Sequence, residues 1–101
     1  MISSNVSSIL SNQTYMNNNA HNVANVNTDR FVPQNTTISE TTGGATKANT
    51  SSATDNGSTR SQTNLAKELT DQMTIENVNA ANVQAIRTRD DMMGSLLDIK
   101  I

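Results

Sequence analysis

From residue 64 to residue 101 the chain has no proline and a single glycine near its end, and its apolar side chains keep returning to one side. Ile75, Val78, Asn82, Ala85, Arg89, Met92, Leu96 and Ile99 follow at alternating steps of three and four, the spacing of a coiled-coil seam. Two of those positions are polar. A second track, Leu69, Met73, Val83, Ile86, Met93 and Leu97, widens the stripe beyond what a two-stranded seam uses, and so predicts more than one neighbour. Asn77, Asn79, Gln84, Arg87, Thr88, Asp91 and Asp98 fall opposite, where water or polar partners are expected. The pattern predicts one long helix over 64–101.

Residues 1–28 contain no Asp, Glu, Lys or Arg, yet Ile2, Val6, Ile9, Gln13, Met16, Ala20 and Val23 recur at steps of four and three, with Leu10 beside them. This is a second helix. Asn12, Asn17, Asn18, Asn19 and Asn22 crowd its remaining surface and lower its propensity, because asparagine competes for backbone groups. Ser3 or Ser4 is placed to cap its start, and asparagines 25 and 27 are placed to end it. At about 1.5 Å per residue the carboxy-terminal helix outreaches the amino-terminal one, so it must overhang.

From Asp29 the pattern breaks, because Pro33 disfavours helix at Val32. Residues 34–63 are mostly Thr, Ser, Asn and Gly, with Ile38 almost the only large apolar side chain, too little to fold independently. The 29–63 stretch is therefore read as a polar connector, extended or partly disordered. Gly43-Gly44 and Asp55-Asn56-Gly57 are turn signals, so a short β-hairpin is the alternative. The resulting fold class is all-α: an elongated, coiled-coil-like pair of terminal helices joined by an irregular connector with room for a short hairpin.

Composition sharpens this. With 34% hydrophobic and 2% aromatic residues in 101, and a mean hydropathy of −0.53, little material exists for a core. Cysteine is absent and histidine occurs once, which leaves oligomerisation as the available staple. Seven basic residues scattered among nine acids give no footprint for nucleic acid. The amino terminus lacks the basic start and continuous apolar run of a cleaved signal, and no apolar stretch is long enough to span a bilayer, so no membrane insertion is expected.

Candidate chemistry is sparse. His21 has no second ligand near it in sequence, and the adjacent Asp90 and Asp91 point about 100° apart on a helix. Lys67 with Asp71 and Arg87 with Asp91 suit intrahelical ion pairs. Met73, Met92 and Met93 suit plastic packing. No nucleophile with a base, ligand cluster or phosphate loop is visible, so neither an enzyme nor a cofactor is expected.

The run from Ala20 to Phe31, AHNVANVNTDRF, resembles the amino-terminal signature of bacterial flagellar rod and hook proteins, an Ala-Asn-Asn-x-Ala-Asn-x-Asn-Thr-x-Gly-Phe stretch that ends their first helix. Ala20, Asn22, Ala24, Asn25, Asn27, Thr28 and Phe31 carry the match; His21 replaces an asparagine, and Arg30 stands where the family has glycine, at a steric cost to any left-handed turn. Glu68, Ala81, Asn82, Thr88, Asp90, Met92, Leu96 and Leu97 are similar to the family's carboxy-terminal run.

The resemblance implies a short structural subunit of the basal-body rod. Such a subunit assembles with copies of itself and other rod proteins around an export channel, transmits torque to the hook, and reaches the periplasm through the flagellar type III apparatus without a cleaved signal. A helical adaptor that binds rod proteins without joining the tube is the alternative. In either case the candidate interface comprises Ile9, Met16 and Val23 on the first helix, and Leu69, Ile75, Val78, Asn82, Val83, Ala85, Ile86, Arg89, Met92, Met93, Leu96 and Leu97 on the second.

Overall fold

The computed structural model describes residues 2–100, without the side chains of Ile2 and of residues 98–100, so the expectations for Ile2, Asp98, Ile99 and Ile101 lie outside the described residues wholly or in their side chains. The chain forms α1 (Ile2–Ala24), β1 (Gln34–Glu40), β2 (Thr46–Ser52) and α2 (Leu65–Lys100). The two helices pack antiparallel, and the strands lie against α1, giving an extended body of 68 × 25 × 14 Å.

An all-α fold is therefore incorrect: the connector contains a regular antiparallel hairpin, registered from Gln34 opposite Ser52 to Glu40 opposite Thr46. Its flanks lack the apolar alternation that normally pins register, and α1 supplies hydrogen bonds in its place. Ser7 Oγ donates to the Thr46 carbonyl and accepts the Thr46 N–H, at 2.9 and 2.8 Å. One turn further on, Ser11 and Thr46 hydroxyls meet at 3.1 Å, and Asn18 Nδ2 reaches Thr36 and Thr50 hydroxyls, both at 2.9 Å. A one-residue slip would turn Thr36 and Thr46 away from these partners.

The hairpin reverses at Gly43-Gly44, whose φ values of 90° and 82° are freely available only to glycine. Thr41 closes the loop by donating its N–H to the Ala45 carbonyl at 2.7 Å. Asp55-Asn56-Gly57 does not make a hairpin. There, Asp55 accepts the Gly57 N–H and Asn56 accepts the Ser58 N–H, two successive side-chain turns.

The segments outside the strands also run side by side. Ala53 N–H donates to the Pro33 carbonyl, Gln62 N–H to the Phe31 carbonyl and Arg30 N–H to the Thr59 carbonyl. Asn64 then starts α2, its Oδ1 accepting the Lys67 N–H at 3.1 Å.

The exit from α1 is built from the asparagine-rich run. Asn25 Nδ2 donates to the His21 carbonyl at 2.8 Å, and its Oδ1 accepts the Thr28 hydroxyl at 2.9 Å, so one side chain serves both the last helical turn and the loop beyond it. The Phe31 ring sits edge-on to His21, centroids 5.4 Å apart. Arg30 adopts φ 60°, the left-handed conformation, despite carrying a side chain.

A left-handed residue other than glycine costs about 1–2 kcal/mol, and glycine returns part of that as unfolded-state entropy. Arg30→Gly is expected to stabilise the fold by about 0.5–1 kcal/mol. Urea denaturation followed by circular dichroism measures it, and an unchanged or lowered midpoint contradicts it.

Candidate functional site

What the two helices bury between them is polar. Asn82 Nδ2 donates to Ser8 Oγ at 2.8 Å, and Asn12 Nδ2 to Asn79 Oδ1 at 3.2 Å. Further along, Gln72 Nε2 donates to Asn19 Oδ1 at 2.7 Å. Glu68 ends the series: Asn19 Nδ2 donates to its Oε2 at 2.6 Å and Asn22 Nδ2 to its Oε1 at 3.1 Å. Ser11, Asn12, Asn19, Asn22 and Glu68 are all buried, whereas Ile75 is the one buried large hydrophobic residue among those described.

Burying such groups is tolerable only when each is hydrogen-bonded, and no buried side-chain nitrogen or oxygen among the described residues lacks a partner. Glu68 has no cation against it, because Lys67 binds Asp71 instead at 2.9 Å. The Glu68 carboxylate is held by amide donors from α1. Asn22 extends the network to the hairpin, donating to the Gln34 carbonyl at 2.8 Å and accepting the Gln34 N–H at 2.9 Å. Of the family-like motif, Asn22 thus joins α1, β1 and α2, and Asn25, Thr28 and Phe31 shape the helix exit. Ala20, Ala24 and Asn27 are exposed.

The seam on α2 runs through Glu68, Gln72, Ile75, Asn79, Asn82, Ile86 and Arg89, one position off the track drawn through Val78, Ala85 and Met92. Ile75, Asn82 and Arg89 belong to both. Asn79, expected to face water or a polar partner, accepts from Asn12. The signal that finds this seam is polar periodicity: Ser8, Asn12, Asn19 and Asn22 keep the same three-and-four rhythm as the apolar residues beside them.

The shift leaves apolar flanks outside. Ile9, Met16 and Val23 are half-buried, as are Ile86, Asn82 and Arg89, and Ala85 is exposed. Leu69, Val78, Val83, Met92, Met93, Leu96 and Leu97 are between 40% and 62% exposed, joined by Val6, Leu10, Leu65 and Met73. At 3.6 residues per turn, Leu65, Leu69, Met73 and Val83 lie on one flank of α2, while Val78, Ala85, Met92 and Leu96 lie on the other. Met93 and Leu97 continue the line of the seam past Arg89 toward the end of α2, and both are exposed.

Tyr15, beside Ile75 in the register of the pair, has its phenol pushed up from 10.0 by burial first, then by hydrogen bonding to Asp71 and its charge. The Lys67 ammonium is raised chiefly by its hydrogen bond to Asp71. Among the described residues no group of three or more acidic or histidine side chains is arranged to hold a metal, and no helix is long and apolar enough to cross a membrane.

No protein-family model matches the chain, and no characterised protein matches it significantly.

Two measurements test the seam. Glu68→Ala removes the acceptor for two buried amides and is expected to destabilise the fold by about 1–3 kcal/mol in urea denaturation, against a negligible change for Glu76→Ala on the exposed side. Spectrophotometric titration of the single tyrosine should show it ionising above pH 10.0. A phenol with a raised folded-state pKa lends stability that is complete below its unfolded value and is lost as pH climbs through the folded one. Titration at or below the free-phenol value contradicts the packing of Tyr15.

Proposed function

We propose that this chain is a structural subunit of a bacterial flagellar basal-body rod, packing with copies of itself and with related rod proteins into a hollow helical tube that carries torque. One observation carries the reading: the apolar residues flank the intramolecular seam and remain outside it, on opposite flanks of the longer helix and along its free end. An oligomer that joins one surface to a different surface of its neighbour needs two such patches, and a rotation with axial rise then gives an open helix. A closed two-fold dimer would need only one.

Energetics agree with an obligate assembly. Ile75, the one buried large hydrophobic among the described residues, contributes about 1.5–3 kcal/mol, small beside the ordering entropy of a chain this long. Burial of the exposed leucines and methionines by neighbours supplies what the isolated subunit lacks. A loosely held monomer is also compatible with export as an unfolded chain. The motif resemblance at residues 20–31, together with the second run in α2, supports reading the assembly as a rod.

Met93→Asp is expected to abolish incorporation and motility, because a buried assembly would enclose an unpaired charge. Thr50→Asp, whose side chain is exposed and still accepts from Asn18, should assemble normally. Composition analysis of isolated basal bodies checks both. Many copies per particle are expected for the native chain; its absence from purified particles would favour an adaptor, and equal motility of the two variants would refute the role given to the apolar end of α2.

A further inference from the structure

The loop after β2 holds the one asparagine, among fifteen in the chain, that precedes a glycine. Asn56 and Gly57 are both exposed, and nothing lies within 4 Å of where a Gly57 side chain would stand. Gly57 N–H donates to Asp55 Oδ1 at 2.8 Å, and Asn56 Oδ1 accepts the Ser58 N–H at 2.9 Å. That second bond folds the Asn56 carboxamide back over the backbone that follows it, the stretch that contains the Gly57 nitrogen. Gln62 fastens the whole turn, donating to Asp55 Oδ1 at 2.8 Å and accepting the Asn56 N–H at 3.2 Å. Gln62 is anchored in turn through its own N–H to the Phe31 carbonyl.

We propose that Asn56 is a built-in self-modification site that deamidates by cyclising onto the Gly57 nitrogen, with the Asp55 carboxylate as base and the Ser58 N–H as the donor to the developing oxyanion. Asp55 takes the Gly57 amide proton as that nitrogen bonds to Asn56 Cγ, and the carbonyl electron pair moves onto Oδ1. This is where Ser58 already donates, the placement that stabilises a tetrahedral intermediate. Collapse restores the carbonyl and breaks the bond to Nδ2, which leaves as ammonia with the proton that Asp55 held. Water then opens the cyclic imide at either carbonyl, giving aspartate or isoaspartate at position 56. The balance is one amide and one water converted to one acid and one ammonia, with no redox change.

Hydrogen bonds from Gln62 first and Gly57 second lower the Asp55 pKa below the usual carboxylate value, so the group is ionised at neutral pH and available as an acceptor. The other asparagines differ in a way that chemistry recognises. Asn12, Asn19 and Asn22 are buried with their amides engaged, and Asn27, Asn35 and Asn49 precede threonine, whose branched side chain shields the attacking nitrogen. The product places a second carboxylate beside Asp55. As isoaspartate it adds a methylene to the backbone that pairs with residues 30–31.

The test is peptide mapping by mass spectrometry of the full-length chain held at neutral pH, alongside the same chain unfolded in guanidinium chloride and an Asp55→Ser variant confirmed folded by circular dichroism. Conversion at Asn56 should be at least ~100-fold faster in native buffer than in denaturant, the low end of what a positioned base supplies. In Asp55→Ser the native rate should fall by about 100-fold, leaving only what the Ser58 donor supplies over the unfolded chain. An equal or slower rate in the native chain, an unaffected rate in Asp55→Ser, or earlier conversion at another asparagine would overturn the proposal.

Discussion

A buried amide or carboxylate that finds no partner costs more than most apolar contacts return, and this constraint organises the molecule. Asn19, Asn22 and Glu68 are shut away from water between α1 and α2. Each is usable only with the others in place. Because the bonds are directional, they also set the register of the helix pair: moving α2 by one residue would set Gln72 and Asn79 opposite side chains that do not match them. An apolar seam of similar size would tolerate such slips far better, as single buried asparagines in coiled coils show by fixing register at some cost in stability.

The same polar logic extends to the hairpin. Its strands carry too few apolar residues to pack a face, so they are held by hydroxyl and amide bonds to Ser7, Ser11, Asn18 and Asn22 on a second side of α1. Asn22 belongs to both sets and is the residue where the three layers meet. Such a structure is specific without being strongly cohesive. Its hydrogen bonds replace bonds to water with a small net gain each, so order is defined more by matching than by depth of burial.

Cohesion is left to the outside. With the inner faces taken by amides, the leucines and methionines of α2 are spread over two flanks and an overhanging end. Exposed apolar surface on this scale, with Ile75 the one buried large hydrophobic among the described residues, supports the proposed assembly. The division of labour suits the proposed rod subunit, which would fold the same way every time and gain its strength among neighbours.

The sequence by itself determined that two amphipathic helices occupy the ends of the chain, that α2 outreaches α1, and that the asparagine-rich run around residues 20–31 closes the first helix. These follow from local periodicity and capping chemistry, which act over three or four residues. It also carried the apolar positions now found on the flanks. It did not reveal which face turns inward, because hydrophobic periodicity ranks faces by their aversion to water, while here the choice rests on hydrogen-bond partners up to 74 residues apart. The hairpin was legible only as an alternative, through its Gly43-Gly44 turn signal, for the same reason. Its flanks hold no alternating apolar signal, and the serines and asparagines that order it lie on a helix whose side chains meet the strands only once the chain has folded back. The left-handed Arg30 belongs with these: local sterics argue against it, and its N–H bond to Thr59, set by the paired segments, holds it there.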